Sequence, residues 1–186
     1  GPRRAPRRRM ATLWVVRAAA FGAGAVLVAV AFALSTYERW WVRRRRHELA
    51  WTVSMALFGG GALAFFSAVV TGWNSVSFRW FYLLGGVLTV PTLALGTIYL
   101  LAGRRLGDRV ALVVALVGAF AAGVVLTAPL RVPLDPDRLN EGRVVFGLWP
   151  RLLAAVGSGL GALVVVGGAL WSVVSLWQRR ASASGP

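Results

Sequence analysis

The chain has 186 residues, of which 58% are hydrophobic and 15% charged, and its formal net charge of +15 comes from 21 basic residues, all arginine, against six acids. A composition so apolar excludes an ordinary soluble domain, in which about 25% of residues are charged. The absence of cysteine excludes disulfides and thiolate metal sites, and the absence of lysine excludes Schiff-base cofactors such as retinal or pyridoxal phosphate.

The first residues, GPRRAPRRRM, are rich in proline and arginine and predict a disordered basic tail over 1–12. A leading Gly-Pro is also what a protease scar leaves, and Met10 offers an alternative start, so this stretch is kept apart from the fold. Five nearly pure apolar runs follow, at 13–37, 49–71, 78–102, 110–128 and 152–177. An apolar helix of about 20 residues crosses about 30 Å of hydrocarbon, so each run predicts a transmembrane helix. The fold class expected is therefore all-α, an up-and-down transmembrane helical bundle forming one domain over 13–180, with a disordered tail at 181–186. Short connections make successive spans antiparallel neighbours. The exception is 129–151, an outer loop with Pro129, Pro133, Pro136 and Pro150, in which Val144–Leu148 can form a short interfacial segment.

Arginine placement orients the bundle, because positive charge is retained on the cytoplasmic side. Ten arginines collect at one end: Arg39, Arg43, Arg44, Arg45, Arg46, Arg104, Arg105, Arg109, Arg179 and Arg180. Six mark the other: Arg17, Arg79, Arg131, Arg138, Arg143 and Arg151, with five more in the tail. Counted from Met10, the rule predicts an N-terminus outside and a C-terminus in the cytoplasm, in a cytoplasmic (inner) membrane. All nine tryptophans fall at or near span ends, where the headgroup level accommodates both ring and N–H. The run Arg43–Arg46, followed by His47 and Glu48, reads as a topology anchor and a contact for anionic lipid headgroups rather than a metal or nucleic-acid site.

Inside the spans, chemistry-bearing residues are few. Pro91 lies mid-span with Thr89 and Thr92 beside it and Gly85 and Gly86 one to two turns earlier. Proline removes a backbone donor and clashes with the preceding turn, which predicts a kink and a freed carbonyl near Val87. A broken helix at the midplane is a candidate cavity or hinge; a static kink whose carbonyl is met by a threonine hydroxyl is the simpler account. Small residues at helical spacing, among them Gly60 with Ala64 and Gly157 with Gly161, predict close helix packing. Arg17 lies one turn from a span end, where its stem can snorkel to the headgroups. Asp135, Asp137 and Glu141 read as turn chemistry and surface ion pairs with nearby arginines. A weak similarity between the hairpins of spans two and three and spans four and five is compatible with a repeat.

No acid or histidine sits in the middle of a span, which argues against a proton-coupled pump. Nucleophile elbows, phosphate loops and zinc motifs are missing from the sequence, so no enzyme and no cofactor are expected. The cadence Tyr37-Glu38-Arg39-Trp40-Trp41, Phe78-Arg79-Trp80-Phe81-Tyr82, Pro91 and Leu95-Gly96-Thr97-Ile98-Tyr99-Leu100-Leu101 resembles uncharacterised small polytopic integral membrane proteins of high-GC bacteria. That resemblance implies a helical membrane fold and no particular activity. The function expected is a structural or accessory membrane subunit acting through helix packing, with the bilayer, anionic headgroups and a second copy or partner membrane protein as its contacts. The alternatives are a small-solute or lipid transporter or channel, formed by oligomerisation around the Pro91 kink, and a membrane ligand-sensing module.

Overall fold

A computed structural model describes residues 5–136 and 138–183, with side chains over 14–136 and 138–178. Asp137, the first four residues and 184–186 lie outside the described residues. Helix α1 (Ala5–Arg43) is followed by α2 (Arg46–Thr71), then α3 (Ser75–Trp80), which passes through a π-helical segment (Phe81–Leu88) into α4 (Thr89–Thr127). A one-turn helix α5 (Gly142–Val145) interrupts the loop, and α6 (Leu148–Ala183) completes the chain. The described residues contain no strand, and four of their helices are long and apolar enough to cross a membrane.

The third of these runs from Ser75 to Thr127 and is not straight. At Gly103 the backbone takes φ +80° and ψ −179°, a conformation open essentially to glycine alone. The chain doubles back there. Tyr99 meets Asp108, Leu88 lies against Gly118, and Arg79 reaches the carbonyls of 125–128. Two antiparallel arms, 75–102 and 104–127, therefore stand side by side, each longer than the about 20 residues that a crossing needs. The bundle thus has five rods, as the apolar runs imply.

The helices outrun those runs. Residues 5–12, expected to be a disordered tail, are helical, with Pro6 in the first turn where a missing N–H costs nothing. Residues 38–43 and 104–109, expected as connections, are helical too. Arginine and leucine are good helix formers, and charge ends a span without ending a helix. Breaks come instead at Arg44, with φ +52°, and at Gly103.

Small residues set the distances between rods. On α1, Gly22 faces Phe65 and Phe66 of α2, and Ala29 faces Gly59. A methyl group at Gly61 would stand 2.9 Å from the Gly85 nitrogen, so α2 lies directly against the π segment. A methyl at Gly60 would come 2.9 Å from the Leu84 side chain, while Ala64 is half-buried on the same helix. From the other side, Gly157 sits against Pro91 and Gly161 against Val90, which packs α6 parallel to the first arm. Gly123, another small residue at helical spacing, faces open space.

The most buried cluster is not at mid-height. It gathers Trp73, Phe78, Val125, Val145 and Phe146 near the end that carries the loop. Within hydrocarbon, apolar side chains gain nothing from leaving water, because lipid tails are as apolar as leucine. The core forms where the chain can still exclude water.

Candidate functional site

The first arm holds the residues that the sequence singles out. Over Phe81–Leu88 the helix widens into a π register, and Pro91 follows without an N–H to donate. Between them they leave carbonyls at 86 and 87 short of helical donors. The Gly86 carbonyl accepts the Ser158 hydroxyl of α6 at 2.8 Å. Thr89 donates to the Leu84 carbonyl five residues back at 2.6 Å, and its own carbonyl accepts the Ser54 hydroxyl of α2 at 2.9 Å. Thr92 donates to Leu88 at 2.7 Å. The distortion is therefore pinned from two neighbouring helices, and its hydroxyls point at backbone rather than into open space. Neither Ser54 nor Ser158 stood out in the sequence; a serine well inside an apolar span was the available signal.

Gly85 packs on α2, whereas Pro91 lines a groove of about 480 Å³ between the first arm, the second arm and α6. Its walls are almost wholly apolar, from Val87, Leu88 and Ala94 to Val117, Leu153 and Leu160, with Trp149 at the loop end. Such a groove can take a hydrocarbon chain or another apolar body. It offers no charge to move an ion or a proton.

At the loop end, side chains close the bundle. Asn74 caps α3, accepting from the Val76 and Ser77 N–H groups at 3.0 Å while the Ser77 hydroxyl accepts from the Asn74 N–H. The Arg79 guanidinium donates to the Val125, Leu126 and Ala128 carbonyls at 2.5, 2.8 and 2.7 Å, occupying the orphan acceptors that end the second arm. The loop is tied down by Trp73 N–H to the Pro136 carbonyl and by Arg131 N–H to the Val145 carbonyl. Asp135 pairs with Arg138 at 3.9 Å, and Glu141 with Arg143, all largely exposed. Trp73 Nε1 is buried with no hydrogen-bond partner.

At the arginine end, α1 and α2 are joined through Arg44 and Arg45 alone. Arg43 ends α1; Arg44 lies over the rings of Trp40 and Trp41, 4.9 and 4.6 Å from their centroids; Arg45 precedes α2. Arg46 donates to Asp108 at 2.7 Å, and Asp108 also receives the Tyr99 hydroxyl at 2.8 Å and faces Arg104 at 3.6 Å. This network fastens the start of α2 to the turn at Gly103. Glu48 is buried, 4.0 Å from both Arg39 and His47, with one oxygen unpartnered. His47 meets the Trp51 ring edge-on. No group of three or more histidines and acids that could hold a metal ion exists among the described residues. No protein-family model, curated protein or solved structure matches the chain.

Proposed function

We propose that this chain is an accessory subunit of the cytoplasmic (inner) membrane, not an enzyme, which holds a second membrane helix, from a partner protein or another copy, against the outward face of α6. The observation that carries this reading is a shallow apolar depression on that face. Ala155, Gly159 and Ala162 form its floor, with Val156, Leu163 and Val166 around them. The inward pair Gly157 and Gly161 is already spent on the first arm, whereas a methyl at Gly159 would meet open space. In lipid, helices associate where small residues let backbones approach, and α6 has such a surface on both sides. Counted from Met10, ten arginines at the 43–46 and 104–109 end against six at the other support an N-terminus outside and a C-terminus inside.

Chemical crosslinking in native membranes followed by purification in mild detergent tests the proposal. Replacing Gly159 with leucine is expected to abolish the crosslinked or co-purified species while leaving thermal stability unchanged. An unchanged set of species in G159L rejects it. Fusing reporters at 44 and at 138 tests the orientation, with cytoplasmic activity expected at 44.

The groove beside Pro91 favours a second reading, passage or holding of an apolar solute or lipid chain by an oligomer built around this kink. That reading predicts flux into vesicles that Pro91→Ala alters, and equal flux with and without protein across a solute panel removes it.

A further inference from the structure

A second cleft, distinct from the Pro91 groove, opens at the arginine end between α2 and the two arms. Its volume is about 550 Å³. Arg44, Arg46 and Trp40 stand at the mouth, and Leu49, Val53, Leu95, Tyr99 and Ala111 line the descent to Thr92. From Arg46 to Val53 is two turns of α2, or roughly 10 Å of depth at 1.5 Å per residue. Its polarity is therefore graded, cationic at the headgroup level and apolar below.

The cations at the mouth are not used up by the protein. Arg44 pairs with no carboxylate among the described residues; its guanidinium is held by the two tryptophan rings instead. Arg46 shares Asp108 with Tyr99 and Arg104, a lone acid against two arginines. Arg45 leads into α2 without a side-chain cap, and the acid of that first turn, Glu48, faces Arg39 and His47 rather than Arg44 or Arg46. The Thr92 hydroxyl at the floor donates to Leu88 and asks nothing of an occupant.

We propose that this cleft binds one anionic glycerophospholipid, its phosphate at Arg44 and Arg46 and one acyl chain laid along Val53, Leu95 and Ala111. Charge complementarity selects the head, and the apolar descent selects a chain over a free anion. The inference rests on membrane residence, but on neither the accessory role nor the orientation proposed above. Lipid binding and helix crosslinking therefore fail independently.

Delipidated full-length protein in detergent is titrated with phosphatidylglycerol, with phosphatidylcholine of identical chains, and with inorganic phosphate, bound species being counted by native mass spectrometry. Phosphatidylglycerol is expected to bind with roughly thirtyfold preference over phosphatidylcholine, at about 1 kcal/mol for each of the two arginines. Inorganic phosphate is expected to leave no adduct. Arg44→Asn removes the charge at a positive φ that asparagine tolerates, and is expected to weaken binding about fivefold. Ala111→Phe fills the cleft and is expected to lower retention of phosphatidylglycerol with the arginines intact. A photoreactive acyl chain on phosphatidylglycerol should label peptides holding Val53 and Leu95 in the unsubstituted protein, which requires no variant to fold. Equal binding of the two lipids, equal competition by inorganic phosphate, or labelling confined to the outward faces of α1 and α6 would each overturn the proposal.

Discussion

The two ends of the bundle are held by different physics. At the loop end, Phe78, Phe146, Val125 and Val145 are each less than 2% exposed, and aromatic rings run from Phe65 through Trp73 and Phe81. Phe146 lies 5.3 Å from Phe78 and 4.8 Å from Tyr82, centroid to centroid, which draws the loop into the core. Among the described residues the arginine end has no comparable buried cluster; its aromatic group, Tyr37, Trp40 and Trp41, lies largely at the surface. That end is fastened by a two-residue link, a glycine turn, the half-exposed pairs of Asp108 with Arg46 and Arg104, and the buried Glu48 beside Arg39 and His47. Apolar burial stabilises where water competes, so the first end is held mainly by packing and the second mainly by charge.

The largest expected effect breaks the better-packed end. Phe146→Ala should cost about 3–5 kcal/mol, read as a lowered midpoint of denaturation in detergent, since it empties a fully enclosed site. Leu163→Ala on the outward face of α6, at a residue 71% exposed, is the control and should leave that midpoint nearly unchanged. Similar losses in both would show that the end-to-end contrast is false.

Next in size is Arg79→Gln, which strips three carbonyls of a charged donor. A loss of about 1.5–3 kcal/mol is expected, together with faster hydrogen exchange at the end of the second arm; protection that stays as in the parent chain would refute the role given to this arginine. At the opposite end, Gly103→Ala meets no neighbour but forces a side chain onto φ +80°. About 1–3 kcal/mol of strain should follow, and a stability equal to the parent protein's would mean that the arms do not turn at this residue.

The smallest effect belongs to Asp108→Asn. Its pairs with Arg46 and Arg104 are exposed, so the melting temperature should fall slightly at low salt and match the parent at high salt. A large, salt-insensitive fall would make the arginine end as self-sufficient as the loop end.

How much of this was legible follows from the range of each interaction. The five apolar runs are local: a bilayer demands about 20 consecutive apolar residues, and any reader of the chain can find them. Pro91 is local as well, since its ring acts on the turn just before it. A disturbance of that turn was therefore readable, but not its π register. The π widening over Phe81–Leu88 leaves the Gly86 carbonyl for Ser158, 72 residues away. The same holds for Arg79, which looks in sequence like one of six arginines at its end and in space closes the second arm. Val144–Leu148 was readable as a possible short segment, yet the burial of Val145 and Phe146 depended on partners in α3 and the second arm.

By itself, then, the sequence determined residence in a membrane, the number of rods, their alternating direction and the place of the donor missing at Pro91, because each depends on local hydropathy, connection length or a single backbone donor. Tertiary structure alone decided where the core lies, which small residues are spent inside the bundle and which remain outward on α6, and how Arg44 and Arg46 come to stand over an apolar cleft. These rest on contacts between residues tens of positions apart, and in a bilayer, where hydrophobicity no longer tells inside from outside, only packing can make that choice.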